Sequence, residues 1–351
     1  NITGVNKLQA SGPNLEVRGQ AAIRPNAAPE LLVSSFRIDR SSGHARLVLP
    51  YATQDKTIRV GVYADTLDLS PLMETDPAAP PKKESGYHVP EAASGTLHGP
   101  PGNAWDIELQ ANALLYNQNK PPLRTVNAHF EHNGLRLERM AFSMRGPTPV
   151  AMHLTPNGTK RSLHVVVPDM GEFLSAFNIL PNVKGGEATL TGSFNDSLPA
   201  APFKGELKVT PFVLTKAPET VLLARNLSLY GWLNGRKSPE FEVTHLSLPV
   251  SFSDGVLRIH DGSTGNDALG ATLEGDIDLD HGKLDLDGTV VPIFAFNKLP
   301  GKLPGVGRLF SPEKNGGFLA MTFGLSGKLD KPDFHVNPYS VLLPGVLRKI
   351  F

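Results

Sequence analysis

Apolar and polar residues alternate with a period of two in one segment of the chain after another. In the stretch that begins at Trp105, the apolar residues Trp105, Ile107 and Leu109 are separated by polar neighbours. Alternation of this kind predicts β-strands with one apolar and one polar face. Tight turns are predicted between such runs at 133–134 (Asn-Gly) and 280–282 (Asp-His-Gly). The chain is therefore predicted to be mostly β, with roughly twenty short strands joined by turns.

Three segments depart from this alternation and predict short helices. The first, 169–180, begins with Asp169 as a candidate N-cap and has Glu172 at the capping-box position. The second covers 219–230, and the third begins at Pro338 in the tail. So few helices cannot cover the apolar faces of all the predicted strands.

The exposed apolar faces need another partner, and three arrangements provide one. Two sheets can pack as a sandwich, or one sheet can close on itself as a barrel. Alternatively, the apolar faces can line a groove that holds an apolar ligand, because large bare apolar patches usually mark interaction sites. The alternation by itself favours the sandwich or the barrel.

Four segments are predicted along the chain. Residues 1–75 form an N-terminal β segment, and 96–200 form a middle β segment that includes the helix at 169–180. Residues 201–351 form a C-terminal β segment with an apolar tail. Between the first two, 76–95 is rich in Pro and Ala and lacks periodicity, which predicts a long loop or a disordered insertion.

Composition narrows the function classes. Lys+Arg and Asp+Glu are equal at 34 each, so the chain has no basic field for binding nucleic acid. It has no cysteine, which excludes disulfides, thiolate nucleophiles and cysteine metal sites. No window approaches 18 uninterrupted apolar residues. Since the chain starts at Asn1 without a signal-like segment, we expect it to be a soluble portion of a longer protein.

The chemical motifs are weak. His129 and His132 are three residues apart on a predicted strand, which places them on opposite faces and makes a shared metal ion unfavourable. The carboxylates of the hairpin at 276–287 alternate with apolar residues, which is typical of a solvated outer face. Ser311 and Lys314 match a Ser-Lys nucleophile spacing but have no supporting motif. We therefore expect no enzyme activity, no metal and no cofactor.

Two Asp-Gly pairs outside that hairpin are also assigned to turns. Asp254-Gly255 and the segment from Asp261-Gly262 through Asn266-Asp267 lack the residue order of a calcium loop, so hairpin turns are predicted in both.

The C-terminal block carries a family resemblance. It contains GTVVP from Gly288, GGFLAMTFGLSGKLDKPDFHVNP from Gly316 and LLPGVLRKIF up to Phe351, in that order. RVGVYADTLDLSPLM from Arg59 has a similar layout. Together these resemble the C-terminal region of the AsmA-like envelope proteins of double-membrane bacteria, which are bridge-like lipid transfer proteins. The resemblance covers most of the chain, most strongly after about Pro168, and gives no counterpart for 76–95.

The resemblance implies a fold and a function. The fold would be a long, strongly twisted and curled antiparallel β-sheet that forms an open hydrophobic groove, with a few short helices capping it. The protein would lie in the periplasm, anchored to the inner membrane through an N-terminal helix absent from this chain. It would bind phospholipid acyl chains and conduct lipid between the inner and outer membranes without catalysis. This favours the groove over the sandwich or the barrel.

Candidate site residues follow from the groove. The predicted lining is the apolar set of the C-terminal strands: Leu207, Val209, Phe241, Val243, Leu246, Leu248, Ile277, Leu279, Leu284, Leu286, Met321 and Phe323. The apolar tail is predicted to cap the end of the sheet or to contact the outer membrane or a protein there: Phe294, Phe296, Leu303, Leu309, Phe310, Leu342, Leu343, Val346, Leu347, Ile350 and Phe351.

Two alternative functions stay open. Sheet edges could pair with strands of outer-membrane proteins, which would make the chain a scaffold or assembly factor. A closed β-sandwich could instead act as a binding module.

Overall fold

A computed structural model describes residues 5–24, 26–51, 56–73, 102–117, 119–177, 179–180, 182–215, 240–266, 269–292, 321–329 and 331–337. Within them the chain is mostly β, as the alternation predicts. The described strands are β1 (Val5–Gly12), β2 (Leu15–Arg24), β3 (Ala27–Ile38), β4 (Ser41–Val48), β5 (Thr57–Asp68), β6 (Ala104–Leu115), β7 (Leu123–His132), β8 (Leu137–Met144), β9 (Val150–Asn157), β10 (Lys160–Val167), β11 (Val183–Gly185), β12 (Ala188–Asn195), β13 (Phe203–Val209), β14 (Phe212–Leu214), β15 (Phe241–Val243), β16 (His245–Ser253), β17 (Val256–Gly265), β18 (Leu269–Asp278), β19 (Lys283–Pro292), β20 (Met321–Lys328) and β21 (Lys331–Asn337). The described helices are α1 (Ser70–Met73) and α2 (Met170–Ala176).

The described elements fall into two units. The first contains β1 to β10 and α1, together with residues 191–202. The second contains β11, α2 and β13 to β21. The division of the chain falls within β12.

The first unit is a sheet in which strands adjacent in the chain are adjacent in space. From β1 to β10, each strand pairs antiparallel with the next, except that β5 and β6 are parallel. Parallel neighbours need a crossover connection of about a dozen residues or more. Residues 69–103 provide that connection, and the predicted insertion at 76–95 lies within it, outside the described residues.

The second unit contains two antiparallel sheets. The larger has seven strands in the order β13, β16, β17, β18, β19, β20 and β21. The smaller has three, in the order β11, β14 and β15. The turn predicted at 280–282 is confirmed, because it joins β18 to β19 with Ile277 opposite Leu284. The turn at 133–134 likewise joins β7 to β8.

Helix α2 begins where the sequence predicts. The Asp169 side chain accepts a hydrogen bond from the backbone N–H of Glu172 at 2.8 Å. The helix ends at Ala176, earlier than predicted, and Phe177 closes it by donating its N–H to the carbonyl of Phe173. The predicted helices at 219–230 and after Pro338 lie outside the described residues.

The two Asp-Gly turn predictions have different outcomes, and the second holds only at its end, where Asn266 lies in the connection from β17 to β18 and donates its N–H to the carbonyl of Leu269. Asp254-Gly255 does form the turn between β16 and β17. Asp261-Gly262 instead lies inside β17, at a β-bulge between Ile259 and Gly262. Asp261 has a positive φ of 46° there, so the bulge uses the same backbone preference that suggested a turn.

Among the described residues, no helix is long and apolar enough to cross a membrane.

Candidate functional site

The large sheet of the second unit has an apolar face that runs across all its strands. In its centre, Ile277 of β18 lies opposite Leu257 of β17 and Leu284 of β19. Cross-strand partners lie on the same face of a sheet. Following the registers outward gives one connected apolar set: Phe203, Leu207, Val209, Leu246, Leu248, Val250, Phe252, Leu257, Ile259, Leu269, Ala271, Leu273, Ile277, Leu284, Leu286, Val290, Phe323, Leu325 and Phe334.

The opposite face of the same sheet is polar. One residue before Ile277, Asp276 lies opposite Arg258 and Asp285. The Arg258 guanidinium donates two hydrogen bonds to the Asp276 carboxylate, at 2.6 and 2.8 Å, and these lower the pKa of Asp276. The predicted solvated carboxylate face of this hairpin therefore lies on the side away from the apolar set.

The strands of the first unit likewise have one apolar face and one polar face. Ile107 of β6 lies opposite Val60 of β5 and Phe130 of β7. Further along, Met140 of β8 lies opposite Phe130 and Leu154. The intervening positions carry polar residues on the other face. Each unit therefore presents one continuous apolar face.

Much of the apolar face is half-buried rather than fully buried. Leu207, Leu248 and Ile277 are of this kind, and Phe334 on β21 is 47% exposed. Among the described elements, extensive packing occurs between neighbouring strands of a sheet and between α2 and β11. Other side chains of this face, Val209 and Leu286 among them, are buried, so the face combines buried and half-buried positions.

A cavity of about 270 Å³ lies on the apolar face of the second unit. It is lined by residues of five adjacent strands: Leu246, Leu248, Gly262, Ser263, Thr264, Ala271, Thr272, Leu273, Leu286, Phe323 and Leu325. The Thr264 hydroxyl donates a hydrogen bond to the carbonyl of His245 at 2.8 Å. Because this polar group is already satisfied, Thr264 does not add an unpaired donor to the apolar cavity.

Two glycines shape the surface at this cavity. A Cβ at Gly262 would lie 2.6 Å from Cδ2 of Leu248 and 2.8 Å from the carbonyl oxygen of Leu273. A Cβ at Gly288 would overlap the ring of Phe323. The side chain of Leu248 occupies the space that a methyl group would need over β17, and the ring of Phe323 occupies that space over β19.

The structure brings together most of the predicted lining residues. Leu207, Val209, Leu246, Leu248, Ile277, Leu284, Leu286 and Phe323 lie on the apolar face of the large sheet, and Met321 lies opposite Val290 in its register. Leu279 lies just beyond β18, in the turn before β19.

Two predicted lining residues lie in a different sheet. Phe241 and Val243 are in the three-stranded sheet, where both are buried. All the predicted tail residues, from Phe294 to Phe351, lie outside the described residues.

Sequence reasoning missed several residues of the cavity. Ala271 and Leu273 share the alternation of Ile277 and could have been found from it. Gly262 and Gly288 gave no signal, because a residue without a side chain does not show which face it belongs to.

A buried ion pair interrupts the apolar face of the first unit. Arg161 lies two residues before Leu163 on β10 and so on the same face. Its guanidinium donates to both carboxylate oxygens of Asp196, at 2.9 to 3.1 Å, and to the carbonyl of Leu137 at 2.6 Å. It also lies over the ring of Phe194, 4.9 Å from the centroid. The side chains of Arg161 and Asp196 are only 4% and 3% exposed, so the pair is removed from water. Both carboxylate oxygens of Asp196 already accept hydrogen bonds from the guanidinium.

A depression of about 270 Å³ lies on the polar face of the first unit, between Glu108, Asn127, His129 and His153. His129 lies 2.8 Å from Asp106, whereas His132 lies opposite Trp105 on the other face, as predicted. In the described part of the chain, no group of three His, Asp or Glu side chains could hold a metal ion. The depression therefore offers separate polar groups rather than a metal site.

No protein-family model matches the chain, and comparisons with curated proteins and with solved structures give no match.

Proposed function

We propose that this chain is a periplasmic segment of an AsmA-like lipid transfer protein. It binds phospholipid acyl chains along the apolar faces of its sheets and conducts lipid between the inner and outer membranes. The observation that carries the proposal is the division of the strands of each unit into one mainly apolar and one polar face, with many apolar side chains, such as Leu248 and Ile277, only half-buried.

The chemistry of the two faces suits a lipid in water. Exposing each methylene group of an acyl chain to water costs about 0.8 kcal/mol, so transfer across an aqueous space needs an apolar surface. A headgroup can stay in water if the groove is open along one side. The opposite faces, with pairs such as Arg258–Asp276, keep the outside of each sheet hydrated.

The dimensions of the sheets also suit an acyl chain. Neighbouring strands are about 4.8 Å apart, so the seven strands of the second unit span about 29 Å. The ten strands of the first unit span about 43 Å by the same spacing. Both lengths match the hydrocarbon thickness of a bilayer, about 30 Å, or exceed it.

The closed sandwich is the weaker alternative. It would need a second layer that buries the apolar face, whereas Leu207, Leu248 and Ile277 on that face are only half-buried. A strand-pairing scaffold would need a long, unprotected sheet edge. The outer strand β21 begins with Lys331-Pro332, and both residue types protect an edge from pairing.

The test is to extract the purified chain with organic solvent and to identify lipids by mass spectrometry against a mock purification. Phospholipid recovered at close to one molecule per chain or more supports the proposal. A folded chain that is free of lipid, and that takes up none from vesicles containing fluorescent phospholipid, would reject it.

A further inference from the structure

The depression on the polar face of the first unit has a histidine at its rim that belongs to a cross-strand pair. His153 of β9 lines the depression and lies directly opposite His164 of β10 in the register. Cross-strand partners lie on the same face of a sheet, with their Cβ atoms about 4.5–5.5 Å apart. Both residues are exposed. The two imidazoles are therefore neighbours on a surface that a ligand can reach.

Neither imidazole of the pair is bound to another side chain in the part of the chain that the structure describes. His129, on the same face, lies 2.8 Å from the carboxylate of Asp106, whereas His153 and His164 have no such hydrogen bond or ion pair with a described residue. The positions that flank the pair on this face of β8, β9 and β10 are uncharged: Ala141, Ala151, Thr155, Ser162 and Val166. Among these neighbours, no carboxylate competes for the ring nitrogens of the pair.

The spacing of the pair suits two nitrogens bound to one metal ion. A transition metal that binds each imidazole at about 2.0–2.1 Å holds the two nitrogens about 3 Å apart. Two exposed side chains with Cβ atoms about 5 Å apart can reach this distance by changing rotamer, because exposed side chains rotate freely. Neutral imidazole is a ligand for copper, zinc and nickel, whereas magnesium and calcium need oxygen ligands. The chemistry of the pair therefore selects a transition metal.

We propose that His153 and His164 together form a binding site for a divalent transition-metal ion, and that the site binds Cu²⁺ most tightly. Copper stands above nickel and zinc in the affinity order of nitrogen ligands. Two protein ligands are fewer than the three of a catalytic zinc site or the four of a structural one, so water takes the remaining positions and the ion can exchange. The pair lies on the face opposite to Leu154 and Leu163, so this inference does not depend on lipid binding.

The test is a titration of the full 351-residue chain with Cu²⁺, followed by calorimetry and by electron paramagnetic resonance. The wild-type chain should show one tight site whose spectrum has the splitting of two nitrogen ligands. His153→Gln and His164→Gln should each weaken this site by about tenfold or more, because a lost ligand costs at least as much as a lost second-shell partner. Because a protonated imidazole cannot bind a metal, the affinity should also fall as the pH falls from about 8 to about 5.

His129→Gln is the matched control, because it removes a histidine from the same row of the same face, separated from His153 by Ala141. It should leave the affinity of the tight site unchanged. Glutamine keeps a polar side chain at each of these positions, and circular dichroism checks that each variant folds. In the wild-type chain, Zn²⁺ and Ni²⁺ should bind more weakly than Cu²⁺, and Mg²⁺ should not compete.

Three outcomes would overturn the inference. If the double variant of His153 and His164 binds Cu²⁺ as tightly as the wild type, other groups of the chain account for the binding. If His129→Gln weakens binding as much as His153→Gln does, the ion lies across the depression and not between the paired histidines. If a variant loses metal and phospholipid together, the pair supports the fold itself and does not form a separate metal site.

Discussion

The buried pair of Arg161 and Asp196 shows how much one residue of the apolar face can matter. Removing one partner of a buried ion pair leaves the other charge without compensation in a desolvated site. Here the pair joins β10 to the segment after β12, and its guanidinium also binds the carbonyl of Leu137. We interpret this ion pair as a structural link that holds β10 to the segment after β12, at the edge of the first unit's apolar face.

Asp196→Ala is therefore expected to destabilise the first unit by about 3–5 kcal/mol. The measurement is the urea midpoint followed by circular dichroism. Glu131→Ala is the control, since it breaks an exposed ion pair between Arg139, 47% exposed, and Glu131, 41% exposed. It should lower the free energy of unfolding by about 1 kcal/mol or less. Equal losses of stability in the two variants would contradict this structural role of the buried pair.

Asp68 gives a residue-scale prediction about pH. Its carboxylate accepts hydrogen bonds from the hydroxyl and the N–H of Ser70, and these, with nearby Arg40, lower its pKa. A carboxyl whose pKa is lowered by folding stabilises the protein above the ordinary Asp value of about 3.9. That contribution is lost as the pH falls through the lowered pKa.

Asp68→Asn should therefore be less stable than the wild type at pH 7. Its stability should also fall less than that of the wild type between pH 5 and pH 2. Thermal melts at a series of pH values would measure this. Asp65→Asn, on the same strand β5, is the control, because Asp65 is exposed and accepts a longer hydrogen bond, 3.3 Å, from the side-chain amide of Asn112. This variant should follow the wild-type curve. A wild-type acid profile in Asp68→Asn would exclude this role for Ser70 and Arg40.

At the scale of elements, α2 depends on a close approach to β11. Gly171 is buried, and a Cβ there would lie 2.7 Å from the Cα of Lys184 and from the N of Gly185. Glycine inside a helix normally costs about 1 kcal/mol relative to alanine. Here the contact reverses that preference, because the backbone of β11 occupies the space that a methyl group would need.

Gly171→Ala should therefore destabilise the second unit instead of stabilising it. Ser175→Ala is the matched control, since Ser175 is an exposed residue of the same helix. This variant should stabilise the helix by up to about 0.5 kcal/mol, because alanine has the higher helix propensity. Hydrogen exchange of the amides of α2 and β11 would measure both changes. Slower exchange in Gly171→Ala would contradict the packing argument.

The sequence predicts elements of this kind well where the signal is local. The Asp169 cap and the turn at 280–282 are set by neighbouring residues, and both are found where predicted. The parallel pairing of β5 with β6 is not local, because its crossover is long and has no periodicity. The position of Phe241 in the three-stranded sheet is hard to predict for a similar reason: three-residue strands alternate like any other strand and do not indicate their partner.

The candidate site shows the same limit. Alternation identifies which residues share a face, so Leu248, Ile277 and Leu286 could be placed together without a structure. It does not identify the cavity, because that depends on how the side chains of five strands pack against one another. A charge within an apolar face is equally hard to predict, since the partner of Arg161 lies 35 residues away.

At the scale of the whole molecule, the apolar face occurs twice. Each unit contributes its own run of strands to the large sheet, and in each run one face is apolar and the other is polar. If the faces bind lipid, each unit should hold lipid by itself. The amount of lipid per chain then depends on both faces.

Two single variants and their combination test this. Leu109→Lys places a charge on the apolar face of the first unit, and Leu273→Lys does so in the second. An unpaired charge against hydrocarbon is strongly unfavourable. Each variant should therefore lose part of the phospholipid that copurifies with the chain, and the double variant should lose most of it, since it places a charge on the apolar face of both units.

Gln110→Lys and Glu274→Lys are the controls, because they place the same residue on the polar faces of β6 and β18, next to the test positions. Both should keep the wild-type ratio of lipid phosphate to protein, measured after gel filtration. Loss of all lipid in either single variant would mean that all of the lipid depends on one face, or on one path through both units. Lipid content that responds equally to test and control positions would mean that the apolar faces do not bind lipid, because a change of face is the one difference between them.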